Sequence, residues 1–505
     1  MSALRLRSLT LSLAAVLVAL LCATTLNARS SYEFRRADSA TRQTCAALKK
    51  QLPFGRVTSQ GLGPDYLLSV QIYYNQLQAK NFPACVVYPS SSSDVQTAIK
   101  AIKANNVQFA VKAGGHQFNN GWSSVDQGIL IDFSRMTRKT YDAASQTGFY
   151  EPGNRWRDIY GYYAKWNVVP VGGRLGGVGT GLALGGGLSY LSAQYGLACD
   201  GFVQLDVVLA DGSLVAARAD NEYADLFKAL KGGGNRFGVV TGYHVKLRPT
   251  GTFYSGVLIY EEKHFADVVK ATVDFNENNQ DPKAAIITTV DSIEVGGLLF
   301  GLGKLIILFN VYDGANPGSV FKAFEDIPHV ADTRTPGSYF KAAQMLDVGT
   351  LSTGAYTSRV ARYRPGSTKE LDLLKNFQAW YAAHKGEYIL ATVDYQPVAQ
   401  GTIAAGRAAG GNALDMKDGP HIWVNLLLAF DPNLPAAKQQ ALIESWKALE
   451  QSVPSDEDVV IFMNDAGDQP ILQSYGTYPQ LQATSRKYDP DQLFIKNQQG
   501  PQFSV

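Results

Sequence analysis

Runs of like charge, paired histidines and long apolar stretches are all scarce in this 505-residue chain. Lysine and arginine number 46 against 44 aspartates and glutamates, a net charge of +2. That balance argues against nucleic acid as the main partner, because such binders carry a clustered basic face. The six histidines (His116, His244, His264, His329, His384 and His421) lie scattered, without H-E-x-x-H or a close pair. A catalytic zinc is therefore not expected. The glycine tract holds no G-x-S-x-G hydrolase elbow, and the chain has no Asn-x-Ser/Thr sequon.

Leu9 to Leu21 is an apolar run preceded by Arg5 and Arg7 and followed by small residues from Ala23 to Ala28. It is shorter than the ~20 residues a membrane span needs. Residues 1–28 read as an export signal, so the protein is expected to be secreted. Of four cysteines, Cys22 leaves with that signal. In an oxidising compartment two of the remaining three can pair and one stays over. Cys45 and Cys85 flank the start of the folded region, and we pair them. Cys199 then reads as a buried small hydrophobe.

The composition, 46% hydrophobic and 18% charged, is globular. Up to about Lys80 the periodicity is weak. Val86 to Tyr88, Val107 to Val111 and Ile129 to Phe133 read as strands. Ser93 with Gln96 has the spacing of a capping box before a helix carrying Val95, Ala98, Ile99 and Ile102. Val203, Leu205, Val207 and Leu209 alternate, and Asp211-Gly212 then predicts a hairpin to Leu214–Ala216. Tyr223 to Lys231 reads as a helix and Phe237 to Leu247 as a strand. Beyond Pro249, strand-like runs (257–260, 285–290, 305–311, 389–394, 422–430) alternate with helical ones (264–276, 368–384, 435–452). Arg407 to Gly411 reads as loop. The last fifty residues read as short strands and turns that rejoin the first domain.

Two glycine-dense segments carry the chemistry. Val111-Lys-Ala-Gly-Gly-His-Gln117 follows a strand. Consecutive glycines there can turn backbone N–H groups toward a diphosphate. In Val171–Gly187, nine of seventeen residues are glycine. Such a tract lets main chain lie against a planar ligand, and its spacing does not fit G-x-G-x-x-G.

These segments occur in order with Gly128–Met136, Tyr195–Asp200, Gly232–Thr241, Tyr488-Asp-Pro and Phe494–Gln498. Together they resemble the berberine bridge enzyme-like oxidases of the vanillyl-alcohol oxidase / p-cresol methylhydroxylase flavoprotein superfamily. The likeness is dense over about 80–250 and 455–500 and weak between. It implies a two-domain α+β flavoprotein. An FAD-binding domain would be formed by 29–250 with the tail 455–505, and a substrate domain, 251–454, inserted with α/β elements. It also implies that Ala113, Gly114, Gly115, His116 and Gln117 wrap the diphosphate. His116 would bond the flavin, Gly177, Gly181, Gly186 and Val240 would approach it, and Asn497 would reach it from the tail. Cys45–Cys85 resembles the family's N-terminal disulfide.

Departures from the pattern are informative. Where many relatives attach the flavin a second time through cysteine, Arg174 stands, so one covalent bond is expected. Arg174 is then either a fixed positive charge near flavin or an acidic substrate, or a solvated loop residue. The relatives' Tyr-x-Asn-Tyr appears as Phe462-Met-Asn-Asp465, their polar strand position falls near Asn425, and Phe118 replaces a frequent tyrosine. Tyr195, Asp465 and Asn425 are the catalytic candidates. The expectation is an FAD oxidase that takes hydride from a small alcohol, sugar or phenolic substrate, passes electrons to molecular oxygen to give hydrogen peroxide, and acts as a monomer away from membranes and nucleic acid. A specialised-metabolite dehydrogenase or cyclising oxidoreductase, and a flavin-containing binding protein, are the rivals. Tyr254, Trp423 and Tyr475 read as pocket or core residues.

Overall fold

Three β-sheets organise the computed structural model, which describes residues 36–294, 303–345, 347 and 354–503. The expected signal, residues 1–28, lies outside the described residues. The first sheet runs β1-β2-β4-β3 (Val57–Ser59, Cys85–Val87, Ile129–Asp132, Phe109–Lys112), with β4 parallel to both β2 and β3. The helix Ser92–Asn105 buries Val95, Ala98, Ile99 and Ile102 against it, the stripe its spacing predicted. Its cap lies two residues earlier than expected. Ser91 accepts from the Asp94 N–H at 3.3 Å, and Asp94 accepts from the Ser90 N–H at 2.9 Å. Gln96 takes no part in the cap, and its amide donates to Gly212 O in the hairpin turn.

The second sheet runs β5-β6-β10-β8-β9 (Lys139–Asp142, Thr147–Tyr150, Val239–Pro249, Phe202–Val208, Leu214–Ala217), with β7 (Val168–Pro170) also on β10. The Asp211-Gly212 hairpin forms as predicted, pairing Val208 with Leu214. A bulge between His244 and Val245 shifts the register, so Phe202 is buried and Val203 exposed.

The third sheet runs β14-β11-β13-β12-β17-β18-β16. Its long strands are β11 (Phe253–Glu261), β12 (Ala284–Ile293), β13 (Lys304–Tyr312), β16 (Ala355–Tyr363), β17 (Leu390–Val398) and β18 (His421–Phe430). The short strands are β14 (Ala331–Asp332) and β15 (Thr335–Gly337), the latter also on β11. All its pairings are antiparallel. One face, with Leu258, Leu308, Val290, Val393, Tyr395, Val424 and Leu426, packs on the helices Phe265–Asn278, Thr368–Ala383 and Ala436–Gln451. Each such side chain contributes about 1.5–3 kcal/mol when buried. The other face meets the glycine tract and its surroundings. Val360, Ile287, Phe309 and Trp423 join Leu188, Tyr190 and Phe462 in one core.

Several elements differ from the sequence reading. The region before Lys80 forms helices Ser39–Gln51 and Pro64–Gln71 as well as β1. Arg407 and Ala408 close the helix Gln400–Ala408 rather than lying in loop. The tail holds helices, including Tyr478–Tyr488 and Leu493–Lys496, where strands were expected. It does pack on the first two sheets' part of the chain. Arg236, buried, donates to Gln498 O and Pro501 O, each at 2.7 Å, and to Phe494 O. Asp489 of Tyr488-Asp-Pro accepts the Leu493 and Phe494 N–H groups at 2.8 Å, which starts the last helix. Cys45 and Cys85 are joined in a disulfide, and Cys199 is a buried thiol.

Candidate active site

The turn after β3 is built against the glycine tract by main chain alone. A Cβ on Gly114 would stand 2.6 Å from Gly179 Cα, closer than any real Cβ packs. Gly115 has φ +68°, and its carbonyl accepts from the Tyr74 N–H at 2.9 Å. That turn delivers His116 into a stack. Its ring lies 3.9 Å from Tyr74, which lies 4.3 Å from Tyr356, and Phe118 meets both His116 and Tyr74 edge-on. Asn75 locks the arrangement, donating to Phe118 O and Tyr356 O and accepting from the Tyr356 N–H. Among the described residues, His116 Nε2 is buried with no hydrogen-bond partner. Burial pushes the imidazole's pKa down to about 4, so the ring is neutral at physiological pH.

The tract itself is strapped in place. The Trp156 and Arg157 N–H groups donate to Val178 O and Gly176 O, and Arg155 donates to Gly177 O. The Gly177 N–H donates to Asp347 at 3.1 Å. A Cβ on Gly181 would meet nothing within 4 Å. An orphaned buried imidazole nitrogen, a backbone cradle without side chains and open space beside Gly181 fit a large planar cofactor with a diphosphate.

Opposite lies a polar patch on the third sheet. The register aligns Thr289, Asp394, Asn425 and Val360 across four strands on one face, with Asp291, Thr392, Gln396 and Ser358 at neighbouring positions of that face. Asn425 donates to Asp394 at 3.2 Å. Ser358 Oγ stands 2.7 Å from Asn425 Oδ1 and 2.6 Å from Asp465 O. Gln396 donates to Asp465 at 2.8 Å and accepts from Arg174. Burial, reinforced by Asp465, raises the Asp394 carboxyl to about 6 even though Thr289, Arg174 and Asn425 favour its ionised form. Burial likewise raises Asp465, and burial with the Asp394 charge raises Asp291 well above the carboxylate range.

The sequence candidates divide. Asp465 and Asn425 meet in this patch. Tyr195 does not join it. It ends a short helix beneath the Arg248 guanidinium, 4.6 Å from its ring centre. Ala113 and Gly114 abut Gly179, whereas the Gln117 carbonyl and side chain are used by Gln78 and the Asn119 N–H. Gly186 has φ +108° and sits among Leu197, Phe462 and Leu414. Val240 pairs with Val207 beside a bulge in β10. The Asn497 amide donates to Asn106 and Val107, and its carbonyl accepts from Phe109, fastening the tail to β3. Phe462 stacks on Trp423 at 4.2 Å, and Asn464 binds the Gly187 N–H and Leu182 O. Trp423 and Tyr475 are core, while Tyr254 is half-buried on β11. Asp394, Gln396 and Asp291 were missed. The only signal available was a polar residue recurring at every second position, Thr392, Asp394 and Gln396, within an otherwise apolar strand.

Comparisons agree with this geometry. Residues 83–218 match the FAD binding domain family. An FAD-dependent monooxygenase of Arthrobotrys oligospora is 31% identical over 469 residues, 90% of this chain and 88% of that protein. In fold, the chain is similar to Physcomitrella patens BBE-like 1 (TM-score 0.74, 18% identity, 92% of this chain and 98% of the other). It is also similar to 6-hydroxy-D-nicotine oxidase of Arthrobacter nicotinovorans (TM-score 0.73, 19% identity, 88% and 97%). Cradle, sheet and matches define an FAD-dependent oxidoreductase. The chain belongs to the family of FAD-dependent oxidoreductases that includes the Arthrobotrys protein, and its fold is that of the berberine bridge enzyme-like flavoproteins.

Proposed function

We propose that this chain is a secreted, monomeric oxidase that carries FAD on a single covalent bond to His116. It oxidises a CH–OH group of a small alcohol, sugar or phenolic substrate, with molecular oxygen as acceptor and hydrogen peroxide as product. The observation that carries this reading is the pairing of two features. A neutral, unpartnered imidazole closes a glycine cradle, and a buried carboxylate with a raised pKa faces the same region from the third sheet. A neutral ring nitrogen is the nucleophilic form needed to bond a cofactor carbon. Residues 29–250 and 455–505 would form the cofactor domain and 251–454 the substrate domain. The Cys45–Cys85 disulfide supports an oxidising compartment.

Bound FAD would supply the hydride acceptor. Gly114, Gly115, Gly179 and Gly181 would hold it by close main-chain approach. Asp394 takes the substrate's hydroxyl proton, for which a pKa near the working pH is suited. Asn425 orients that carboxylate, and Ser358 and Gln396 fix Asn425 and Asp465 around it. The buried stack of His116, Tyr74 and Tyr356 excludes water on one side.

A peroxide screen of purified protein against alcohols, oligosaccharides and phenolics tests the reading. Turnover with dye acceptors but no peroxide in air would replace the oxidase with a dehydrogenase. Failure on every substrate would favour a binding role. The relatives' name, monooxygenase, also invokes oxygen. Mass spectrometry of product made under labelled oxygen separates the two, because an oxidase leaves no label in the organic product.

A further inference from the structure

Arg174 reaches from the glycine tract into the polar patch of the third sheet, and its charge is not neutralised there. Among the described residues its one hydrogen-bond partner is Gln396 Oε1, a neutral amide, and it makes no ion pair. A guanidinium carries five N–H donors. It stays charged although burial lowers its pKa. Arg174 also lines a cavity of about 40 Å³ together with Ser189, Tyr190, Ser192 and Asn276. Two more polar atoms of that lining, Tyr190 Oη and Asn276 Oδ1, are buried without partners. The arrangement is a wet or ligand-accepting space, since a buried polar atom left unpaired costs about 1–3 kcal/mol.

Gln396 explains why Arg174 stays unpaired. It accepts from Arg174 with Oε1 and donates to Asp465 through Nε2, so a neutral amide is wedged between cation and carboxylate. A glutamate there, or direct contact with Asp465, would consume the charge inside the protein. Charge-assisted bonds to a guanidinium are roughly twice as strong as neutral ones and suit planar, two-oxygen acceptors. Asp394 and Asp465 oppose an anion, and because burial raises both carboxyls that opposition lessens as pH falls toward 6.

We propose that Arg174 binds an anionic oxygen of the substrate, so that the substrate class is a small molecule presenting a carboxylate or phenolate. The proposal deepens the oxidase reading and rests on it for the word substrate. Gln396 acts as a positioning residue that keeps the guanidinium free.

Binding of benzoate, 4-nitrophenolate and neutral benzamide to the flavin-loaded full chain, read by thermal shift and flavin absorbance, tests this without turnover. At least one anion should bind the parent protein at least tenfold more tightly than benzamide, and which one does so separates carboxylate from phenolate. R174Q should erase that preference. Q396E, which supplies an internal carboxylate, should reduce it at least fivefold while keeping the guanidinium, so the question stays answerable if R174Q does not fold. Equal binding of all three probes by the parent overturns the proposal. So does a preference that survives R174Q while the flavin's midpoint potential shifts, which would make Arg174 a cofactor residue only. Anion preference without peroxide from any substrate sinks the oxidase reading and leaves the anion site standing.

Discussion

Gly114 and Gly179 touch through main chain. A Cβ built on Gly179 would stand 2.4 Å from the Gly114 nitrogen, so neither position tolerates a side chain without moving the other segment. G179A should therefore destabilise the fold by about 1–3 kcal/mol, the usual cost of overpacking, and lower flavin content per polypeptide several-fold. G181A makes a sharper comparison, because a methyl there meets nothing within 4 Å. It should leave the melting temperature of the flavin-free protein unchanged and still impair loading. Equal flavin content in G181A and parent would remove Gly181 from the cofactor surface.

His116 should be the only tether. Acid precipitation of the parent should leave flavin on the polypeptide, visible under ultraviolet light on a denaturing gel, whereas H116A should release all of it. The imidazole's pKa of about 4 keeps it neutral from pH 5 to 8. The rate of covalent loading of flavin-free protein should therefore show no histidine titration near 6.5. A loading rate that climbs tenfold per pH unit up to 6.5 would contradict the buried neutral ring.

Asp394 should set the acid limb of the pH profile. Its carboxyl is raised to about 6, so kcat/KM should rise with pH and level off above that value. D394N should lower kcat by about 10²–10⁴, the contribution of a positioned general base, without loss of bound flavin. D465N, whose partner Gln396 lies two residues along β17 from Asp394, the residue paired with Asn425, should cost less. If D465N proves the more damaging and D394N keeps the acid limb, the roles are reversed.

Much of this was legible locally. The stripe Val95, Ala98, Ile99 and Ile102 announced its helix, and Asp211-Gly212 its hairpin, because both signals are short-range. The glycines around His116 and the Asp465–Asn425 encounter were reachable through family resemblance. Asp394 was not, since its importance comes from register. Four strands place it between Thr289 and Asn425, and alternation within β17 does not say which neighbours it gains. β16 escaped notice for a related reason. Ser358, Arg359 and Arg362 break its apolar pattern, and the charge of Arg359 is balanced from far along the chain, by Glu450 at 2.9 Å and by Asp468. The tail's helices were misread because their anchors, Arg236 and Asp489, act through main-chain carbonyls and N–H groups that carry no sequence signature.

His421 should make the fold acid-sensitive. It is buried on β18 at 2% exposure, with Nε2 unpartnered among the described residues, and burial with the Arg364 charge lowers its pKa to about 3. An unfolded histidine titrates near 6.5. Between those values the unfolded chain binds a proton that the folded chain refuses, so stability rises with pH across the window and is lost as pH falls from 6.5 toward 3. The loss is on the order of a few kcal/mol. Asp394 works the other way, because its folded pKa lies above its unfolded one and its contribution declines as pH rises through 6. The difference between parent and H421Q isolates the histidine. Urea denaturation at pH 7, 6, 5 and 4 should show the parent losing stability faster than H421Q on acidification. Parallel curves would mean that the ring gains a proton in the folded state and is not sealed in the core beside Trp423.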